Sequence, residues 1–354
     1  MEEKGVANAS VFWRYGFFWN DALRKSLYII RYDSHRNREQ YLASHPQLLS
    51  RIKSEEFMFC RRLAVALACA LSTAAFSAPA LAQFRPDMGK LLATGGVSQI
   101  EGAGGGGLTP WALIGGYGTR DSYGANLHAT TVSTQDYSLQ SYGFAVGFAD
   151  RVELSLANQV FSGSKVPLND LRIRQNIAGI KVKIAGDAVY GQDSLLPQIA
   201  IGAMAKDNKG IKGLGGVTNV RQLGARHDSG VDYYLSATKI LLQSRLLLNG
   251  TLRATKANQM GLLGFGGDRH DRYEIMPEVS VAYLLTRHLV AGAEYRRKPR
   301  NLTIDSEKDY YDMFLAYFPS KHFSITAAFV DLGNITVLNP THQRGFYLSL
   351  QAGF

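Results

Sequence analysis

The sequence predicts an all-β fold: an antiparallel transmembrane β-barrel of about 14 strands, with 12 strands as the alternative. From residue 84 onward, segments of about ten residues alternate between apolar and polar side chains, as expected for strands between lipid and a lumen. The same region has no apolar run long enough for a membrane-spanning helix. The chain also ends inside such a segment, RGFYLSLQAGF at 344–354, whereas domains usually end in poorly ordered residues.

The alternation is clearest over 273–285, where Ile275, Val279 and Val281 oppose Glu274 and Glu278. Aromatic residues recur near the ends of such segments, as the interfacial girdles of membrane barrels require. The predicted strands are 91–101, 110–118, 123–133, 137–149, 151–162, 175–186, 196–206, 229–240, 244–257, 272–285, 288–297, 309–318, 321–330 and 343–354.

Short and long connections alternate when they are counted back from the C-terminus. Bacterial barrels have short periplasmic turns and longer outer loops, so this alternation predicts which connections lie outside. Two links depart from it: the tight 134–136 link is expected outside and the longer 187–195 link inside. If both chain ends lie in the periplasm, the strand number is even, and counting 91–101 gives 14. Twelve strands result if the glycine-rich start folds into the pore and another strand is lost.

Residues 58–82 are typical of an export signal. Two arginines precede an uncharged apolar stretch, and the tripeptide ALA ending at Ala82 supplies the small residues that a signal peptidase reads. We expect cleavage after Ala82, which removes the two cysteines of the chain, Cys60 and Cys69. This signal also predicts export to the outer membrane of the cell.

The export signal divides the chain into four parts. Residues 1–57 are expected to be an over-extended start that is not part of the fold, with a functional extension as the alternative. After the signal, residues 83–109 form a glycine-rich N-terminal segment near the lumen and a possible first strand. Residues 110–354 form the outer-membrane barrel.

Composition and motifs argue against several classes of function. The net charge is +10, but the charges are scattered and no basic run with interleaved aromatics predicts nucleic-acid binding. The run GAGGGG at 102–107 lacks the Lys-Ser/Thr and the following helix of a phosphate-binding loop. No histidines are paired at metal-ligand spacing. We therefore expect no cofactor, no metal and no catalytic residue, and the chain is not predicted to be an enzyme.

The stretch GKLLATGGVSQIEGAGGGGLTPWALIGGYG at 89–118 resembles the N-terminus of an uncharacterised family of exported Gram-negative proteins, a domain of unknown function. The resemblance continues through QDYSLQSYGFAVGFADRVELSLANQVFS at 135–162 to the C-terminus, and it implies an outer-membrane barrel without known catalytic residues. The last strand is similar to the assembly signal that barrel-insertion machinery reads. Its expected lipid-facing residues are Phe346, Leu348, Leu350 and Phe354. Ala352 departs from this signal, which more often carries an aromatic there.

Charged residues in the strands are expected to face a wet lumen, because a charge on the lipid face costs a few kcal/mol at mid-depth. Glu153 and Asp232 share this inward parity. The lumen-lining candidates are Lys181, Lys183, Arg245, Arg253, Glu274, Glu278, Glu294, Arg296 and Asp312. Basic residues on 175–186 and 244–257 and acidic residues on 272–285 and 288–297 indicate either a transverse field that sorts solutes or salt bridges between neighbouring strands.

These observations predict a passive channel or transporter for an unidentified small solute, with the glycine-rich segment as a partial plug or gate. Two alternatives remain: an outer-membrane enzyme that modifies lipid or peptide, and a non-conducting structural or adhesion barrel. The expected partners are outer-membrane lipid and lipopolysaccharide, the barrel-assembly machinery and the solute itself.

Overall fold

The computed structural model of the protein describes residues 85–95, 97–304, 307–335 and 341–354. The predicted export signal and residues 1–57 lie outside these residues and stay predictions. The strands are β1 (Arg85–Pro86), β2 (Ser122–Thr134), β3 (Tyr137–Phe148), β4 (Val152–Gly163), β5 (Arg172–Ala185), β6 (Gln198–Lys212), β7 (Ser229–Leu241), β8 (Leu246–Thr255), β9 (Glu274–Leu284), β10 (Leu289–Arg296), β11 (Tyr310–Tyr317), β12 (Phe323–Asp331) and β13 (Arg344–Gly353). Two short 3₁₀ turns, Val220–Leu223 and Asn258–Gly261, lie in connections.

Strands β2 to β13 form a closed antiparallel barrel. Each pairs with its neighbours in chain order, and β13 pairs with β2 from Gly345↔Thr134 to Gly353↔Asn126 to complete the circle. The two-residue strand β1 pairs parallel with the start of β2 and is not part of the wall. Closure satisfies the backbone groups of every wall strand, which a bilayer demands.

The predicted fold class, an antiparallel transmembrane β-barrel, is confirmed. The wall has twelve strands, the predicted alternative to fourteen. The predicted strands 91–101 and 110–118 are wrong: residues 97–101 and 110–117 lie inside the barrel without forming strands, and β2 rather than 91–101 pairs with the last strand. The other twelve predicted strands correspond to β2–β13. The largest difference is at β6, which continues to Lys212 instead of ending at 206.

The barrel has two different ends. The terminal rim is the end where β1 and Phe354 lie, and the connections there are 149–151, 186–197, 242–245, 285–288 and 318–322. The loop rim is the opposite end, with the connections 135–136, 164–171, 213–228, 256–273, 297–309 and 332–343. Short and long connections thus alternate as predicted, and the two links predicted to depart from the alternation do so: the tight link after β2 lies at the loop rim and the longer link after β5 at the terminal rim.

The outer face of the wall is apolar and suits lipid. On β11, the outward side chains of Tyr311, Met313, Leu315 and Tyr317 are 51%, 70%, 48% and 48% exposed, whereas the alternate residues are buried. Outward tyrosines near the loop rim lie in pairs, with ring centroids 6.0 Å apart for Tyr233–Tyr273 and 5.1 Å apart for Tyr295–Tyr311. An apolar band with aromatic girdles is the surface of a membrane barrel.

Among the described residues, no helix is long and apolar enough to cross a membrane. The last strand, β13, places Phe346, Leu348 and Leu350 on the outer face, where they are 72%, 44% and 44% exposed, and Phe354 follows it at the terminal rim. These positions match their expected lipid-facing orientation. Recognition of this strand by assembly machinery stays a prediction.

Arginine on this outer face tests the assignment of the lipid side. Met313→Arg, at the middle of β11, is expected to lower the free energy of unfolding in bilayers by about 2–4 kcal/mol, because the charge lies in hydrocarbon. Tyr317→Arg, on the same face at the strand end, is the matched control, with an expected cost of about 0–1 kcal/mol. Urea-dependent folding into phospholipid vesicles measures both. Equal costs at the two depths would contradict the assignment.

Candidate functional site inside the barrel

The barrel is filled by residues 97–117, which we call the inner segment. Of these residues, only Val97 and Leu113 are less than fully buried. The segment forms no strand of its own and folds back through the isolated bridges Ser98↔Gly104 and Gly105↔Pro110. Residues 118–121 then connect it to β2 at the terminal rim. The predicted glycine-rich segment near the lumen therefore continues further along the chain than 109.

The glycine run lets this backbone pass close to charged wall groups. A Cβ atom at Gly106 would lie 1.9 Å from Oε1 of Glu294, and one at Gly104 would lie 2.7 Å from Oε2 of Glu153. A larger residue would displace these carboxylates. Six residues, 102–107, therefore carry one side-chain carbon between them, that of Ala103.

Wall side chains hydrogen-bond the backbone of the inner segment. Glu153 accepts from the N–H groups of Gly104 at 2.9 Å and Gly115 at 2.7 Å. Lys181, directly opposite Glu153 in the β4–β5 ladder, donates to the carbonyls of Gly104 at 2.7 Å and Leu113 at 2.8 Å. The two wall residues also pair with each other at 3.1 Å, so one ion pair fixes both arms of the segment.

Neutral wall groups continue these contacts around the barrel. Thr251 donates to the carbonyl of Pro110 at 2.8 Å, and the amide of Gln351 holds both the N–H and the carbonyl of Ser98. Further wall residues that bond the segment are Asn126, Ser141, Gln159, Gln198, Ser236, Thr238 and Ser280. Most of the buried polar groups in this contact are thereby satisfied, as burial requires, although Oδ1 of Asn126 and the hydroxyl of Tyr117 have no hydrogen-bond partner among the described residues.

Glu294 anchors the turn of the inner segment. Its carboxylate accepts from the N–H of Leu108 at 2.6 Å and from the hydroxyls of Thr109 at 2.8 Å and Ser280 at 2.7 Å. Asp312 lies directly opposite Glu294 in the β10–β11 ladder and is also buried. These carboxylates face the segment rather than open water.

Glu101, from the inner segment, occupies the centre of a buried charge cluster. Arg296 Nη1 lies 2.7 Å and Arg253 Nη1 3.3 Å from its Oε2, and Lys206 pairs with its Oε1. Two wall carboxylates complete the cluster. Asp232 lies 2.5 Å from Lys206, and Glu278 lies 2.5 Å from Arg253 and 3.4 Å from Arg296. Three cations and three carboxylates therefore balance within a site that is closed to solvent.

Residues 256–267, which we call the loop cover, fold into the loop rim. Met260, Leu262, Leu263 and Phe265 are buried there. Wall side chains also bind the backbone of the cover, as in the bond of 2.7 Å from Asn208 to the carbonyl of Leu262. The void between the cover and the wall is about 20 Å³, room for about one water molecule.

Ion pairs close the terminal rim. Lys90 lies 2.8 Å and Lys183 2.7 Å from Asp150, and Lys90 also donates to the carbonyl of Ile114. Asp187 lies 3.7 Å from Lys183. Burial raises the pKa of Asp187, but the N–H groups of Tyr190 and Val189 outweigh it and hold the pKa below its usual range. The base of the inner segment is thus bound to the wall connections.

The structure separates the lumen-lining candidates into three groups. Six of them are buried inside the barrel: Lys181, Arg253, Glu278, Glu294, Arg296 and Asp312. Lys183 lies at the terminal rim, and Glu274, the first residue of β9, lies partly exposed at the loop rim. Arg245 does not face the lumen. It lies in the exposed turn before β8, which begins at Leu246, and its φ is 57°.

Two central charges, Glu101 and Lys206, were not predicted to face the lumen. Lys206 follows the inward positions Met204 and Gln198 on β6, but the predicted strand ended there. Glu101 is the only charged residue between 91 and 118 in the sequence. A single charge in a long uncharged stretch is the signal that could have identified it.

A serine and a histidine also meet inside the barrel. Nε2 of His128 lies 3.3 Å from Oγ of Ser141, but this hydroxyl donates to the carbonyl of Ile100 at 2.6 Å. Nδ1 of His128 is buried and has no hydrogen-bond partner among the described residues. The ring therefore lacks the orienting acid of a hydrolase triad in this part of the chain.

A family model described as "Protein of unknown function (DUF3034)" matches residues 94–351. No curated protein matches the chain. Among solved structures, it is similar to the KdgM porin at 10% identity, over 65% of this chain and 99% of that one, with a TM-score of 0.39. It is similar to the NanC porin at 7%, over 65% and 100%, with a TM-score of 0.44, and to outer membrane phospholipase A from Escherichia coli at 10%, over 68% and 94%, with a TM-score of 0.38. A role must therefore be argued from the geometry of this chain.

Proposed function

This chain belongs to the DUF3034 family of proteins of unknown function, and we propose that it is an outer-membrane channel closed by its own inner segment. The channel conducts a small solute when the inner segment leaves the lumen. The terminal rim faces the periplasm in this proposal, so the segment leaves on the side where its N-terminal end lies.

The polar lining of the wall carries this proposal. Many inward residues on the middle of the strands are charged, amide or hydroxyl side chains that bond the inner segment, such as Gln159, Thr238, Thr251 and Ser280. They lie beside fewer apolar inward residues such as Met204 and Phe314. Apolar residues would fill a permanently closed barrel at least as well, because buried ion pairs are often no more stabilising than well-packed apolar groups. A polar wall is what a water-filled lumen requires once the segment has left.

The wall also holds together without the inner segment. Every strand from β2 to β13 has two wall neighbours, and no ladder uses a residue of 97–117. The segment continues into the wall at 118–121, while its other end leads to the short strand β1 at the terminal rim. Withdrawal therefore breaks side-chain contacts and no wall ladder.

A non-conducting barrel is the second candidate. The loop cover favours this candidate. Its buried apolar residues block the loop rim, which is a second barrier in addition to the inner segment. In that case the buried polar network serves only to fix the shape of the barrel. The two candidates differ in whether the wall encloses a path for ions after the inner segment is removed.

Planar-bilayer recordings separate these candidates. Protein that begins at Gln83 is expected to show little current, whereas protein that begins at Tyr117 is expected to conduct steadily, because it lacks all of the inner segment except Tyr117. Protein that begins at Met88 keeps residues 97–117 and is the matched control, expected to stay closed. A folded, inserted Tyr117 protein that carries no more current than these two would reject the channel in favour of the non-conducting barrel.

A further inference from the structure

The Glu101 carboxylate is surrounded by cationic side chains, as a bound anion is in a protein site. Arg296 donates from Nη1 to Oε2 at 2.7 Å and from Nη2 to Oε1 at 3.4 Å, the two-pronged contact that suits a carboxylate. Arg253 and Lys206 contact the same group from β8 and β6. All four side chains are at least nine-tenths buried. The wall thus encloses a carboxylate from several directions.

This carboxylate belongs to the inner segment, whereas its three cationic partners belong to the wall. Wall carboxylates also contact these partners: Asp232 pairs with Lys206, and Glu278 lies 2.5 Å from Arg253 and 3.4 Å from Arg296. Without Glu101, three wall cations face two wall carboxylates, which leaves one positive charge uncompensated. Arg296 loses most, because Nη1 and Nη2 donate to Glu101 and Nη1 also donates to the carbonyl of Leu108 in the same segment.

We infer that the wall carries a binding site for a small organic carboxylate, at the position where Glu101 lies in the closed barrel. Arg296, Arg253 and Lys206 bind the carboxylate, and Asp232 and Glu278 hold these cations in place. Glu101 is the internal occupant that a solute replaces. The role of the site in selecting solutes rests on the proposed channel, but carboxylate binding itself does not.

Propionate tests the site, because it matches the side-chain atoms that Glu101→Gly removes. The variant, in protein that begins at Gln83, is refolded into detergent with propionate present, so that entry into a closed barrel is not required. The midpoint of heat unfolding is expected to rise by several degrees and to saturate with propionate, because a ligand that binds the folded state stabilises it. Wild-type protein, with Glu101 in the site, is expected to show no such rise.

Matched variants and ligands exclude other causes. Glu101→Gly combined with Arg296→Gln is expected to lose the response to propionate, and Glu101→Ala is expected to respond to acetate instead, since it keeps Cβ. Where a variant refolds poorly, the yield of folded barrel replaces the midpoint as the readout. An equal response to propionamide, phosphate or chloride at matched ionic strength would overturn the inference, and so would no response in either variant. No outcome depends on current, so the channel and the site can fail separately.

Discussion

Replacement of Arg253 by methionine is expected to lower the free energy of unfolding by about 3–5 kcal/mol, since it breaks a buried charge network from one side. Arg253 is 1% exposed and contacts Glu101, Asp232 and Glu278. Its loss leaves three buried carboxylates with two cations, Lys206 and Arg296. Urea-dependent folding into phospholipid vesicles measures the change.

A second substitution is expected to return part of this loss. In Arg253→Met combined with Glu278→Gln, two cations remain with two carboxylates, so the cluster is again neutral. The double variant should therefore be more stable than Arg253→Met alone. If Arg253→Met costs less than about 1 kcal/mol, a value typical of exposed ion pairs, the cluster is not buried as described.

Replacement of Phe265 by alanine is expected to cost about 3–5 kcal/mol through the cavity that it leaves in the loop cover. Phe265 is 2% exposed, and its ring lies against the backbones of Gly230 and Gly261, where added Cβ atoms would lie 2.4 Å and 2.8 Å from it. These two glycines make room for the ring. The same vesicle-folding measurement applies.

Val166→Ala is the control for the cover. Val166 also lies in a connection at the loop rim but is 83% exposed, so its truncation is expected to change the free energy of unfolding by less than about 0.5 kcal/mol. Equal effects of the two substitutions would show that Phe265 does not pack inside the barrel.

The wall strands were predictable because lipid and lumen demand opposite side chains at alternate positions. On β9, Val279 and Val281 are exposed to the outside while Glu278 and Ser280 are buried, as the sequence pattern indicates. Such a pattern is local, and neighbouring strands need not be known to read it. For that reason twelve of the predicted strands correspond to the wall.

Parts of the inner segment, within 91–101 and 110–118, were predicted as strands because burial on all sides leaves no distinct pattern. Ile100, Leu108, Trp111 and Ile114 are buried together with polar neighbours such as Thr109. Apolar residues at irregular spacing, separated by glycines, were compatible with a weak strand. Only the tertiary structure decides whether such a segment faces lipid or the lumen.

The sequence predicts which charged side chains face the lumen, but it does not predict which of them pair with each other. Parity along each strand placed Arg253 and Glu278 inside, and the structure pairs them, as in the salt-bridge alternative. Their meeting with Glu101 depends on the path of the inner segment, which no strand periodicity encodes. The sequence therefore indicated a charged lumen, whereas the carboxylate site needed the structure.

Thiol labelling at Thr251 tests most directly whether residues 97–117 fill the barrel. Thr251 is 2% exposed and lies beneath the carbonyl of Pro110. Protein that begins at Gln83 contains neither Cys60 nor Cys69, so Thr251→Cys introduces its single thiol. Asp193→Cys, in an exposed connection at the terminal rim, is the control that should react in every protein. We expect Thr251→Cys to resist a charged, water-soluble thiol reagent in the Gln83 protein and to react readily in protein that begins at Tyr117. Equal rates in the two proteins would contradict a barrel filled by its inner segment.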